Sequence, residues 1–152
     1  MDFYLARHGE AVSETLDPER PLTAGGQQDV EEVARLAAAR NVRVSAILHS
    51  GILRARQTAE IFAARLTPAM GVREISGLLP QDDPMIAKAE LEAARESFLL
   101  VGHLPHMSRL AALLVHGDSD REVVDFPPAA LVCCSNDGSQ WKIAWMLAPR
   151  PL

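Results

Sequence analysis

Apolar residues change their spacing several times along the chain, and each change marks the border of an element. Asp2 to Ala6 form a short extended run, and a polar stretch rich in turn-forming residues follows as far as Pro21. Val30, Val33, Ala34 and Ala37 then recur at i, i+3, i+4, i+7, the stripe of a helix capped by Thr23 and ending near Arg40 and Asn41. Val44 to Leu48 reads as a strand. Ala55, Ala59, Phe62 and Leu66 line one side of a helix from about Ile52, which stops before Pro68 because that ring removes a donor and restricts its predecessor. Val72 to Ile75 is a further short strand. Past the loop from Leu79 to Pro84, Ile86, Ala89 and Ala93 mark a weaker helical stripe. Phe98 to Val101 is a near-continuous apolar run of the kind buried on both faces of a parallel sheet, and Met107, Leu110, Ala111 and Leu114 mark a last helix. Ala129 to Ser135 and Gln140 to Met146 flank Asn136-Asp137-Gly138-Ser139, a hairpin signal, and the alternation of Trp141, Ile143 and Trp145 predicts one shared face.

Strands that alternate with helices imply right-handed crossovers and a mainly parallel sheet covered on both faces. The pattern therefore predicts an α/β fold, a three-layer α/β/α sandwich whose C-terminal antiparallel hairpin extends the sheet at one side. At 152 residues, with no repeat, low-complexity tract or linker, residues 1–152 read as one domain. A composition of 48% hydrophobic and 23% charged residues belongs to a globular chain and excludes disorder. Fifteen Lys and Arg against twenty Asp and Glu leave a net charge of −5, which argues against nucleic acid or anionic lipid as partner, so any anion site must be local. The longest apolar stretches fall far short of the ~18 residues of a membrane span, and Arg7, His8 and Glu10 interrupt the patch Phe3 to Ala6 before a signal sequence can form. The expectation is a cytoplasmic protein without membrane attachment. In a reducing compartment the adjacent Cys133 and Cys134 read as small buried hydrophobes, because neighbours on a strand point to opposite faces and a disulfide between them would be strained.

Ligands of open α/β sheets bind beyond the carboxyl ends of the strands, so the chemistry is sought there. After the first strand comes Arg7-His8-Gly9-Glu10. After the second come His49-Ser50-Gly51 and, in the opening turn of a helix, Arg54; after the fourth come Gly102 and His103. Any one Arg or His beside a strand end is commonly a solvated surface residue. Two arginines and two imidazoles delivered by three strand ends to one edge instead describe a cationic pocket, to which helix N-termini add backbone donors. A phosphoryl group is its natural tenant, since the planar guanidinium fork matches the three oxygens that carry charge during phosphoryl transfer.

Together the runs Leu5-Ala6-Arg7-His8-Gly9-Glu10, His49-Ser50-Gly51-Ile52-Leu53-Arg54-Ala55-Arg56-Gln57-Thr58-Ala59-Glu60 and Val101-Gly102-His103-Leu104-Pro105 resemble the histidine phosphatase superfamily, the phosphoglycerate-mutase-like fold. The short chain resembles in particular its SixA-type phosphohistidine phosphatase branch. The likeness spans essentially the whole length, includes Arg20-Pro21-Leu22-Thr23, and keeps the three motifs in family order. It implies that His8 accepts the phosphoryl group while Arg7, Arg54 and His103 clamp its oxygens, with neither cofactor nor metal ion. Imidazole, with a reference pKa of about 6.5, is substantially neutral near pH 7, so one ring nitrogen can attack while the other donates to a fixed acceptor. His103 is expected to serve as a cation, so that the two histidines hold different protonation states. Gly9, Glu10, Arg20, Ser50 and Leu104 are read as substrate-binding residues of the phosphoryl pocket.

A general acid for the leaving group is sought among Glu10, Asp82 and Asp83, none of which its spacing secures. Without one, the reaction favours a leaving group that is already good, such as the protonated nitrogen of a phosphoramidate. The leading expectation is a phosphohistidine phosphatase acting on a histidine-phosphorylated protein. The alternatives are a phosphatase of small phosphomonoesters or phosphoamides and a phosphate-binding module without turnover. His106 reads as a surface residue or a support for the site, since it has no metal-ligating companions. Arg56 should point away from the pocket, Met107 belongs to the core, and His49 and His116 receive no role.

Overall fold

The computed structural model describes residues 1–150. Its elements are β1 (Asp2–Arg7), α1 (Ala24–Ala39), β2 (Ala46–His49), α2 (Leu53–Leu66), β3 (Val72–Glu74), α3 (Pro84–Ala93), β4 (Phe98–Gly102), α4 (His106–His116), β5 (Leu131–Asn136) and β6 (Trp141–Leu147). The six strands form one sheet in the order β3-β2-β4-β1-β5-β6. β3, β2, β4 and β1 run parallel, while β5 pairs antiparallel with β1 and β6 antiparallel with β5.

Side chains on successive strand residues point to opposite faces, and this separates two cores. Tyr4, Ala6, Ile47, Leu99 and Val101 face the layer of α1 and α2, where Val30, Val33 and Phe62 are fully buried. Phe3, Leu5, Leu48 and Leu100 face the layer of α3 and α4, where they meet Leu91, Met107 and Leu110. The expected three layers and closing hairpin are present. Thr23 caps α1, its side chain accepting from the Gly26 N–H. Cys133 and Cys134 are free and buried, one in each core. Among the described residues no helix is long and apolar enough to cross a membrane.

Two expectations are corrected. On α3 the buried residues are Pro84, Ala87 and Leu91, whereas Ile86 is 52% exposed and Ala89 and Ala93 face solvent. Asp83 caps this helix with Pro84 in its first turn, and Leu91 offers more apolar area than the alanines, so the helix turns that face inward. On β6 the three apolar residues do not share a face. Cys134 pairs with Ile143 but Cys133 pairs with Trp145, which leaves Ala144 as a β-bulge and reverses the alternation beyond it. Trp141 and Ile143 therefore pack with Phe3 and the α3/α4 core, while Trp145 packs on Tyr4 and beneath the Arg40 guanidinium on the opposite side.

Candidate active site

β1, β4 and β2 lie side by side and parallel, so Arg7 and His8, His103, and Ser50 emerge at one edge of the sheet. The end of β1 is held on both sides: the His8 N–H donates to the Gly102 carbonyl, the Arg7 N–H to Ala130, and the Ala129 N–H to the His8 carbonyl. This backbone fixes the position of the His8 ring. Nδ1 lies 2.7 Å from the Gly9 carbonyl oxygen. A carbonyl can only accept, so Nδ1 carries the proton and Nε2 presents its lone pair, 3.4 Å from Nε of Arg54. Burial pushes the His8 pKa down to about 4, opposed by the Gly9 hydrogen bond and reinforced by Arg54, Arg7 and Arg20. The ring is therefore neutral at pH 7, the form that can attack.

Gly9 is packed against α1. A Cβ there would lie 2.8 Å from a methyl of Val30 and 2.9 Å from the Gly26 carbonyl oxygen. Its N–H donates to the Thr58 hydroxyl, which in turn donates to the Arg54 carbonyl one turn earlier in α2. That single hydroxyl joins the segment after His8 to the helix carrying Arg54. Gln57 adds a second tie by accepting the Leu22 N–H at the end of the same loop.

The cations surround this ring. Nη1 of Arg7 donates to the Phe126 carbonyl at 2.8 Å, and its Nε is buried without a partner. Arg54 stands in the opening turn of α2. Arg20, in a left-handed backbone conformation with φ 50°, donates to the Val12 carbonyl, and its charge bears on His8, Arg54 and His103. His103 is 1% exposed, and its ring centroid lies 5.0 Å from that of His8. Its Nε2 is 2.7 Å from the Ser50 hydroxyl, while Nδ1 has no partner. Burial first, and then the charges of His8, Arg54, His106 and Arg20, push its pKa down to about 3. Against the expectation of a cationic His103, burial and the surrounding cations favour the neutral ring, as they do for His8.

The carboxylates considered as general acids are engaged elsewhere. Glu10 is exposed and accepts from the Thr23 hydroxyl at the start of α1. Asp82 accepts the Leu79 N–H in a turn, and Asp83 accepts the Met85 N–H as the cap of α3. Leu104 packs on the α3/α4 core. Arg56 is exposed and pairs with Glu60 at 3.6 Å. His49 is buried, its Nδ1 accepting the Gly51 N–H, and His116 is exposed. His106 is fully buried rather than at the surface; neither ring nitrogen has a partner of good hydrogen-bond geometry, while the Gly77 backbone and the charges of Asp82 and Asp83 act on the ring. Among the described residues no group of His, Cys, Asp and Glu is arranged to hold a metal ion.

Sequence reasoning gave no role to Thr58, Gln57 or the Phe126 carbonyl. Thr58 stands four residues after Arg54, and that spacing on one helix face was a usable signal. The carbonyl carries none, because any residue at position 126 would supply it.

Comparison with known proteins bears on this geometry. The histidine phosphatase superfamily (branch 1) matches over residues 3–78. The chain is 35% identical over 127 residues to an uncharacterized protein of Picosynechococcus, covering 78% of this chain and 76% of that one. It is 30% identical over 124 residues to the phosphohistidine phosphatase SixA of Escherichia coli, covering 78% and 77%. A solved structure of the protein histidine phosphatase SixA complexed with tungstate superposes with a TM-score of 0.87 at 27% identity, covering 98% of this chain and 97% of the other.

Proposed function

Starting from the fact that the chain belongs to the histidine phosphatase superfamily, we propose that it removes the phosphoryl group from a histidine-phosphorylated protein through a phospho-His8 intermediate. The observation that carries this reading is the bond from Nδ1 of His8 to the Gly9 carbonyl, which leaves Nε2 as the lone-pair nitrogen, where it accepts a long, 3.4 Å hydrogen bond from Nε of Arg54. In the first step Nε2 attacks phosphorus, and the P–N bond of the substrate breaks with its electron pair returning to the leaving nitrogen. Arg7, Arg54 and His103 hold the three equatorial oxygens, and Arg20 adds positive charge at the rim. In the second step water attacks phospho-His8 and inorganic phosphate leaves.

The three carboxylates considered for protonating a leaving alkoxide are engaged elsewhere, Glu10, Asp82 and Asp83 serving a cap and turns. A phosphoimidazole protonated on its second nitrogen departs as neutral imidazole and needs no such acid. The relative named phosphohistidine phosphatase and the neighbour holding tungstate, a tetrahedral oxyanion, support the same substrate class. The reaction requires no metal ion or cofactor.

The test is intact-mass measurement after rapid quench at alkaline pH, where phosphoimidazole survives, using a phosphohistidine protein as donor. Wild type should gain one phosphoryl group and His8→Ala none. Phosphate release by His8→Ala at the wild-type rate would falsify the assignment. Faster turnover of small phosphoesters than of the phosphohistidine protein would move the substrate to small molecules, and loss of activity in EDTA would overturn the metal-free chemistry.

A further inference from the structure

A neutral imidazole has one N–H and one lone pair, so a neutral His103 helps a phosphoryl group only if its free nitrogen is the one carrying the proton. We propose that Ser50 is a positioning residue that donates its hydroxyl proton to Nε2 of His103 and so keeps the His103 proton on Nδ1, as a neutral donor to a phosphoryl oxygen. The inference deepens the reading above: it rests on that pocket, and it changes both the role of Ser50, which no longer touches substrate, and the way His103 works.

The hydrogen bonds favour one of two arrangements. The Ser50 oxygen already accepts the Ile52 N–H at 3.2 Å and lies 2.7 Å from Nε2 of His103. If Nε2 held the proton, this oxygen would accept from two donors. Its own O–H would have no acceptor, since among the described residues the hydroxyl has no further partner, and Nδ1 would present a lone pair that repels phosphoryl oxygens. With the proton on Nδ1, Ser50 accepts once and donates once. The buried Nδ1–H, the other polar atom of the ring and without a protein partner, is then the donor that an anion would satisfy.

The turn after β2 fixes the hydroxyl in this role. Ser50 and His103 are 7% and 1% exposed, so water does not compete for the bond. Gly51 adopts φ 91°, a conformation L side chains rarely take, and its N–H is held by Nδ1 of His49. That turn brings the Ile52 N–H, at the N-cap of α2, back onto the Ser50 oxygen.

The tautomer is directly measurable. In long-range proton–nitrogen spectra of enzyme labelled at histidine, with His103 assigned from its disappearance in His103→Gln, wild type at pH 7.5 should show Nδ1 protonated and Nε2 bare. An Nε2–H or doubly protonated His103 overturns the proposal without any Ser50 variant. Ser50→Ala should release the tautomer, weaken binding of inorganic tungstate about tenfold and lower kcat on the order of 10- to 100-fold. Ser50→Thr, which retains the hydroxyl, should restore tautomer and binding. Ser50→Ala with unchanged tautomer and tungstate affinity overturns the role. Failure of the phosphohistidine reading is distinguishable, because it would remove turnover of the phosphohistidine protein while leaving tautomer and tungstate binding as described.

Discussion

The two helical layers support the site in opposite ways. On the α1/α2 side the polar groups close on one another: Gly9 on Thr58, Thr58 on Arg54, Leu22 on Gln57, and Gly26 on Thr23. On the α3/α4 side three buried imidazole nitrogens, Nδ1 of His103 and both nitrogens of His106, have no partner among the described residues. Buried polar atoms are rarely left so, and their concentration on one side means that the segment carrying His8 is held by bonds within the protein while the opposing wall retains unused hydrogen-bonding capacity. One of these atoms meets the phosphoryl group in the scheme above. Those of His106 face the Gly77 backbone and the charges of Asp82 and Asp83, which only partly offset the burial of the ring.

The largest expected effect tests the assembled side at its centre. His8→Ala should abolish turnover and phosphoenzyme together, read by phosphate release and intact mass. Arg54→Ala removes the guanidinium beside Nε2 and should lower kcat by about 10²–10³, the usual loss for one preorganised donor. A smaller effect on the packing between that side and α1 comes from Gly9→Ala, which places a methyl against the Gly26 carbonyl and Val30. It should cost about 1–3 kcal/mol in a urea titration. Thr58→Val, close in shape, leaves the Gly9 N–H buried without an acceptor and should destabilise by about 1–3 kcal/mol. If Thr58→Val were neutral in both stability and kcat, the contrast between the layers would collapse.

The smallest effect is on acid stability and probes the other side. Unfolded, each histidine takes up a proton near pH 6.5; folded, His8 does so only near pH 4 and His103 near pH 3, and burial also holds His106 below the usual value. Between those limits the unfolded chain binds more protons, so stability is level above pH 6.5 and falls as pH drops below it. His106→Leu should leave neutral-pH stability equal or higher and make the decline below pH 6.5 shallower in thermal melts. A steeper decline would show that His106 has a partner after all.

Much of this arrangement was legible in the chain, for identifiable reasons. Strand and helix periods differ, and the basic motifs sit directly behind the apolar runs, so the mainly parallel sheet, its closing hairpin and the convergence of Arg7, His8, Arg54 and His103 followed from spacing, whereas the order of the strands did not. The inward face of α3 did not, because alanines at helical spacing bury too little area to decide which way a helix turns. Nor did the bulge at Ala144, since an extra residue in one strand shows only against its partner strand. The protonation of His103 depends on burial and on the cations around it rather than on residue type. The hold on Arg7 comes from a backbone carbonyl 119 positions away, which no side chain advertises.

The bulge has a consequence beyond where Trp145 lies. The sheet ends in two strands, β3 and β6, each with one row of backbone groups available to a strand from another molecule. β3 is three residues long and carries exposed Arg73 and Glu74. β6 is seven residues long and rich in aromatic and aliphatic side chains, the more adhesive margin of the two. Its extra residue bends and twists the strand, and Lys142 places a charge beside it, so an incoming strand meets no straight template. One irregular alanine thus makes the longer margin of the sheet a poor template for strand addition.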